Sequence, residues 1–194
     1  MNRYARWGIA LAVLPLAACA SNPPAPPVAA APPPPPPLAS ADASFVTLAT
    51  QGGLAEIQEG QLAQKMSHNP KVLAFANKMI TDHGTANSQL AQIATTKGVT
   101  PPTAPNDTQV QEATKLQSEK GHRFDHDYIA DQIAGHQQQL LLFKTEAQSG
   151  TDPDLKTFAA NTVPIIQQHL DMANELVPAR MHKGMHHHHH HHGE

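Results

Sequence analysis

The chain has 194 residues, of which about 140 have a composition suited to folding, enough for one domain of ordinary size. Its net charge is −3 and only 15% of its residues are charged, so it shows neither a basic face nor an acidic tail, and we expect no nucleic-acid partner. A single cysteine, Cys19, excludes internal disulfides and thiolate metal sites from the folded part.

Residues 1–18 are predicted to be an export signal. Arg3 and Arg6 form a positively charged start, and the apolar run that follows, residues 8–16, is too short to span a bilayer stably. Small residues follow the apolar run and complete the predicted signal segment. We therefore exclude residues 1–18 from the folded protein.

The segment 16–19, Leu-Ala-Ala-Cys, resembles the lipobox of bacterial lipoprotein signal peptides. The resemblance implies cleavage before Cys19 and lipidation of its sulfur, and several acyl chains anchor a protein stably in a membrane. Ala20 resembles the residue found in lipoproteins sent to the outer membrane, which implies a lipid-anchored protein on its periplasmic face. An ordinary cleaved signal peptide with an incidental cysteine is the alternative.

Residues 19–40 are predicted to be a proline-rich tether. Ten prolines lie between Asn22 and Ser40, six of them consecutive from Pro32 to Pro37. Such a sequence favours an extended polyproline II rod, which acts as a stiff spacer. A proline-rich ligand for another protein is the alternative.

Residues 41–178 are predicted to form one all-α domain. Asn69-Pro70 and Asp152-Pro153 each place a capping side chain before a proline at the first helical position, and Gly98 and Gly150 are typical helix stops. No segment alternates with period two, so strands are not expected. The sequence predicts long helices at 41–66, 70–97, 122–149 and 153–177, and a shorter one near 108–118.

Each long helix carries an apolar stripe with alternating spacings of three and four residues, which is typical of antiparallel helix bundles. Each stripe contains a titratable residue near its middle. In an up-down-up-down bundle both short turns lie at the same end, so counting residues from the turns places these side chains at one depth. The predicted polar layer consists of Glu56, His83, His136 and His169.

Several motifs follow one another along the chain, namely FANKMITDH at 75–83, Phe124-Asp125, Tyr128, His136, Phe158-Ala159, Pro164 and His169-Leu170. This ordered set resembles the exported bacterial family catalogued as domain of unknown function 4142. The resemblance covers nearly all of residues 43–177 and implies a ferritin-like four-helix bundle, which we predict as up-down-up-down with an extra short helix before the third long one. It implies no established activity.

The polar layer supplies ligands for a single metal ion rather than for a di-iron centre. Ferritin-like di-iron sites need Glu-x-x-His pairs, but Ile80, Ile133 and Ile166 occupy the positions three residues before the histidines. Glu56 and the three histidines could hold one Zn, Cu or Fe ion, with Asp82 as an outer partner. A metal-free layer of hydrogen bonds, or exposure of these residues through a different helical phase, is the alternative.

Residues 179–194 are predicted to be a disordered, histidine-rich tail. Adjacent imidazoles bind transition metals weakly, whether the tail is natural or a purification tag. The run consists of His186, His187, His188, His189, His190, His191 and His192.

The sequence contains no Gly-rich phosphate loop, nucleophile elbow or H-E-x-x-H motif, so it favours a non-enzymatic role. We expect a periplasmic domain tethered to the outer membrane that binds a transition metal in its core and tail. Two alternatives stay open, namely a mononuclear metalloenzyme of envelope stress defence and a purely structural module that contacts other envelope components.

Overall fold

The computed structural model describes residues 36–177, which are all-helical and contain no strand. Residues 1–35, with the predicted signal peptide, Cys19 and most of the tether, lie outside the described residues, as does the predicted tail from 179 on. No described helix is both long and apolar enough to cross a membrane. The helices are α1 (Ser40–Met66), α2 (Pro70–Thr96), α3 (Asp107–Ser118), α4 (Gly121–Ser149) and α5 (Pro153–Leu176).

Capping side chains set the starts of three helices. Asn69 accepts a hydrogen bond from the backbone N–H of Lys71 before α2, and Asp152 accepts from Asp154 and Leu155 before α5. At α3, Asn106 and Gln109 form a reciprocal capping box. All five helices begin and end within one residue of the predicted positions, and at the starts of α2, α3 and α5 a local capping signal accounts for this.

Four of the helices form the bundle. Around its axis the order is α1, α2, α5 and α4, with the most extensive packing between α1 and α2 and between α4 and α5. The short α3 packs against α1 and α4. The predicted all-α four-helix bundle with an extra short helix is therefore confirmed.

The direction of the last two helices differs from the predicted up-down-up-down order. Asp42, at the start of α1, accepts hydrogen bonds from Thr151 and Asp152 in the turn between α4 and α5. Lys97, just after α2, forms ion pairs with Asp152 and Asp154 at the same end. The two short turns thus lie at opposite ends, and the order in the chain is up-down-down-up. Residues 97–120 are a crossover that returns along the bundle, as the single long connection of ferritin-like folds does.

Among the residues that the structure describes, the apolar core consists of two clusters, one at each end of the bundle. The first cluster is built on Phe45, Val46, Ala49, Leu90, Ala94, Phe143, Leu155, Phe158, Ala159 and Ile166. The second is built on Ala63, Val72, Phe75, Ala76, Met79, Leu116, Phe124, Tyr128, Ile129 and Ala173.

Candidate metal centre

Three histidines from three helices meet between the two apolar clusters. His83 of α2, His136 of α4 and His169 of α5 are 8%, 0% and 1% exposed. Their ring centroids are 5.3 to 5.5 Å apart, and one nitrogen from each ring lies within 4.8 Å of the other two. The histidines of the predicted layer do come together, and their group, which we call the histidine cluster, contains no carboxylate.

The outer nitrogen of His136 is held by the backbone of its own helix. His136 Nδ1 lies 2.7 Å from the carbonyl oxygen of Gln132, one turn earlier in α4. A carbonyl oxygen can only accept a hydrogen bond, so Nδ1 carries the proton of the neutral imidazole. Nε2, the atom that faces the histidine cluster, is then left with a free lone pair.

The outer nitrogen of His169 is held by a carboxylate. His169 Nε2 lies 2.8 Å from Asp82 Oδ2, and Lys78 Nζ donates to the same oxygen at 2.8 Å. Burial alone would raise the pKa of Asp82, but the hydrogen bonds from Lys78 and His169 outweigh it and lower that pKa. Because the ionised carboxylate accepts from Nε2, the free lone pair of His169 is on Nδ1. The sequence placed Asp82 beside the site but did not show which imidazole it orients.

The two nitrogens that face each other inside the histidine cluster, His136 Nε2 and His169 Nδ1, therefore both carry a lone pair and no proton. His136 Nε2 and His169 Nδ1 are 3.4 Å apart, and His83 Nε2 is buried without a hydrogen-bond partner. Burial lowers the pKa of all three imidazoles, that of His169 to about 4. Neutral imidazoles with converging lone pairs are the donor set that a transition-metal ion requires. Two ligand nitrogens on a tetrahedral zinc ion lie about 3.3 Å apart, given Zn–N distances of about 2.0 to 2.1 Å.

Glu56, the fourth residue of the predicted layer, does not belong to the histidine cluster. It is buried, but its Oε1 lies 3.5 Å from His136 Nδ1, the outer nitrogen that faces the Gln132 carbonyl. An ion held at Nε2 lies on the other side of the imidazole ring. The prediction that Glu56 completes the ligand set is therefore wrong, because the phase of α1 directs this side chain between α1 and α4 rather than into the centre of the layer.

Glu56 instead lines an acidic cleft of about 110 Å³ between α1, α3 and α4, together with Glu59, Glu112 and Asp131. Burial, together with the smaller effect of neighbouring carboxyl groups, raises the pKa of Glu56 and of Glu59 to about 8. Gln132 Nε2 donates to Glu59 Oε2 at 2.8 Å. The two glutamates are therefore largely protonated at neutral pH and are poor metal ligands in this state.

Gln132, which was not predicted as a site residue, contacts both the histidine cluster and the acidic cleft. Its carbonyl fixes the tautomer of His136, while its amide binds Glu59. The spacing in the sequence could have indicated this contact, since Gln132 lies one helical turn before His136 on the same face of α4. Glu59 is buried as well.

A second cleft, on the opposite side of His136 and between α2 and α5, reaches the histidine cluster. It has a volume of about 300 Å³. His83 and His169 form part of its wall, and His136 does not. The cluster is thus sealed on its α1 and α4 side and open toward α2 and α5. The remaining lining residues are Lys78, Asp82, Thr85, Ala86, Gln89, Thr162, Ile165, Ile166 and Gln168.

Comparison with known proteins supports the family and the fold. The sequence profile of the family described as domain of unknown function 4142 matches residues 27–176, in agreement with the resemblance inferred from the motifs. A crystal structure of a DUF305 fragment from Deinococcus radiodurans is similar to the chain, with a TM-score of 0.64 at 14% identity. The similarity covers 73% of this chain and 98% of that one. No curated protein matches the chain.

Proposed function

The chain belongs to the family of the domain of unknown function 4142, and we propose that it binds one transition-metal ion through His83, His136 and His169. The donor set suits Zn(II), Cu(II) or Fe(II), because imidazole is a good ligand for each of these ions. We propose further that the domain is non-enzymatic and acts in the bacterial envelope, as a lipoprotein held at the outer membrane by its lipidated Cys19.

One observation carries the metal-binding part of the proposal, namely that His136 Nε2 and His169 Nδ1 face each other at 3.4 Å while the other nitrogen of each ring is engaged elsewhere. A purely structural layer would place a donor opposite each acceptor. Here both hydrogens of the pair are engaged outside the histidine cluster, by the Gln132 carbonyl and by Asp82. This is the arrangement of metal-binding histidines, whose second nitrogen donates to a carbonyl or a carboxylate that fixes the ring.

The proposed location depends on the lipobox at Cys19 and on the proline-rich tether. A polyproline II tether of some 18 residues would span roughly 50 to 60 Å at about 3.1 Å per residue. A tether of that length would let the domain work away from the lipid surface. The histidine-rich tail supplies a second, weaker set of imidazoles that would bind metal in the same compartment.

The experiment is a calorimetric titration of residues 36–177 with Zn(II) and Cu(II), and with Fe(II) under anaerobic conditions. This fragment contains both core clusters and lacks the histidine run of the tail. We expect one ion per chain. His169→Ala should weaken binding at least tenfold, whereas His122→Ala, which removes an exposed histidine of α4, should leave it unchanged.

Circular dichroism and unfolding curves of each variant establish that it is folded. If the folded wild-type fragment binds none of the three ions, the metal-binding proposal is wrong. Equal losses of affinity in His169→Ala and His122→Ala would also contradict it, because binding would then not depend on the histidine cluster.

A further inference from the structure

We propose that the bound ion keeps one coordination position open toward the α2–α5 cleft and takes a small anion there. The inference rests on the proposed function and adds to it the class of ligand that reaches the metal. Three protein ligands leave a tetrahedral ion with one free position, which is the usual arrangement of metal sites that bind an exchangeable ligand.

The position of the cleft determines where the fourth ligand comes from. His83 and His169 belong to its wall, so an ion bound to both rings would lie at the inner end of the cleft. On the opposite side His136 is fully buried and its ring is held by the Gln132 carbonyl. A volume of about 300 Å³ has room for a small ligand together with water.

The charges of the site favour an anion. The histidine cluster supplies three neutral ligands and no carboxylate, so a divalent ion would retain its full charge after binding. Asp82 is the carboxylate in the cleft wall, and its oxygen is already engaged by His169 and by Lys78. The net charge facing the free position is then positive, and a small anion would be attracted to it.

The polar walls of the cleft would allow the anion to be held by hydrogen bonds as well. Gln89 and Gln168 line the cleft from α2 and α5 and are exposed, so their amide groups can turn toward a ligand. The hydroxyl groups of Thr85 and Thr162 donate to carbonyl oxygens of their own helices and are not available as donors.

The test uses cobalt(II) as the metal and azide as the anion, with residues 36–177. Tetrahedral cobalt absorbs visible light, and a new ligand changes that spectrum. We expect azide to alter the spectrum of the cobalt-loaded fragment. Thr85→Trp should fill the cleft and weaken azide binding at least tenfold without changing the affinity for cobalt. Thr81→Trp is the matched control, because Thr81 is an exposed threonine one turn earlier in α2 that does not line the cleft.

The outcomes separate the two proposals. A fragment that binds cobalt but whose spectrum azide leaves unchanged overturns the inference, while the metal-binding proposal stands. Azide binding that is equally strong in Thr85→Trp, Thr81→Trp and wild type also overturns it, since the ligand would not enter through the cleft. A fragment that binds no cobalt at all overturns both.

Discussion

At the scale of single residues, the decisive feature is the proton on each imidazole. Two residues outside the histidine cluster, Gln132 and Asp82, hold the outer nitrogens of His136 and His169. Their hydrogen bonds fix the tautomers and so direct two lone pairs toward the same point. His83 has no comparable partner at its buried Nε2. A bound ion would therefore give this nitrogen the partner that it lacks.

His83→Leu should therefore separate stability from metal binding. Without metal, leucine removes a buried polar atom that has no partner, so the free energy of unfolding should stay the same or rise by up to about 1 kcal/mol. With Zn(II) at about a hundred times the dissociation constant, the wild type should gain about 3 kcal/mol and the variant less than half of that. Denaturant unfolding with and without zinc measures both.

His122→Leu, at an exposed histidine of α4, is the control and should keep the full gain with zinc. A large loss of stability in metal-free His83→Leu would instead show that the His83 imidazole stabilises the domain without a metal ion. Retention of the full zinc effect in that variant would show that His83 is not a ligand.

Glu59 should make the metal-free domain less stable at alkaline pH. Burial raises its pKa from 4.5 to about 8, so the folded state holds a proton that the unfolded chain has released above pH 4.5. This stability is complete below pH 4.5 and is lost as the pH rises through about 8. Glu59→Gln mimics the protonated side chain and should reduce the loss of stability between pH 6 and 9, by about 1 kcal/mol or more.

Urea unfolding at several pH values measures this effect. Glu175→Gln, at an exposed glutamate of α5, is the matched control and should keep the wild-type profile. A Glu59→Gln profile that follows the wild type from pH 6 to 9 would show that Glu59 is ionised in the folded domain.

At the scale of helices, the sequence predicted boundaries well and orientation less well. Caps at Asn69 and Asp152 act within a few residues, so they locate α2 and α5 without reference to the rest of the fold. The direction of α4 depends on whether residues 97–120 turn back or cross the bundle. That length is compatible with either path, and contacts such as Asp42 with Thr151 are too distant in sequence to predict.

For the site residues too, the sequence predicted the position along each helix better than the direction of each side chain. The spacing of the stripes placed Glu56 and the three histidines near the middle of their helices, and residues in the middle of a helix share one height whichever end of the bundle the short turns occupy. It did not predict the rotation of α1, which decides whether Glu56 points into the centre or toward α4. The approach of α1 to α4 is close at this height, since a Cβ atom on Gly135 would lie 2.8 Å from Glu56 Oε1.

Among the contacts between helices, we expect those of Asp42 to contribute most to stability. Its buried carboxylate accepts hydrogen bonds from both donors of Thr151 and from the backbone of Asp152, which joins the start of α1 to the α4–α5 turn. Asp42→Ala removes these bonds and leaves backbone donors without a partner. We expect it to lower the free energy of unfolding by about 2 to 4 kcal/mol.

Asp107→Ala is the control for this change, because Asp107 is an exposed acidic residue in the first turn of α3 and should cost less than about 1 kcal/mol. Thermal and urea unfolding compare the two. A loss below about 1 kcal/mol in Asp42→Ala would mean that the α4–α5 turn does not depend on this contact.

At the scale of the whole molecule, the proposed role combines an anchor, a spacer and a metal-binding domain. Cys19→Ser should abolish lipidation and move the full-length protein from the outer-membrane fraction to the soluble periplasmic fraction. Fractionation of bacteria that produce the protein, together with incorporation of labelled palmitate, measures this. Ser21→Ala, two residues further along, is the control and should remain membrane-bound. Membrane association of Cys19→Ser without label would exclude the lipid anchor.

The measurement that tests the central claim most directly is an anomalous difference map from crystals of residues 36–177 grown with zinc. The account predicts one strong peak between α2, α4 and α5, at about 2.0 to 2.1 Å from a nitrogen of each of His83, His136 and His169. A peak in the acidic cleft beside Glu56 and Glu59 instead, or no peak among the three imidazoles, would contradict it.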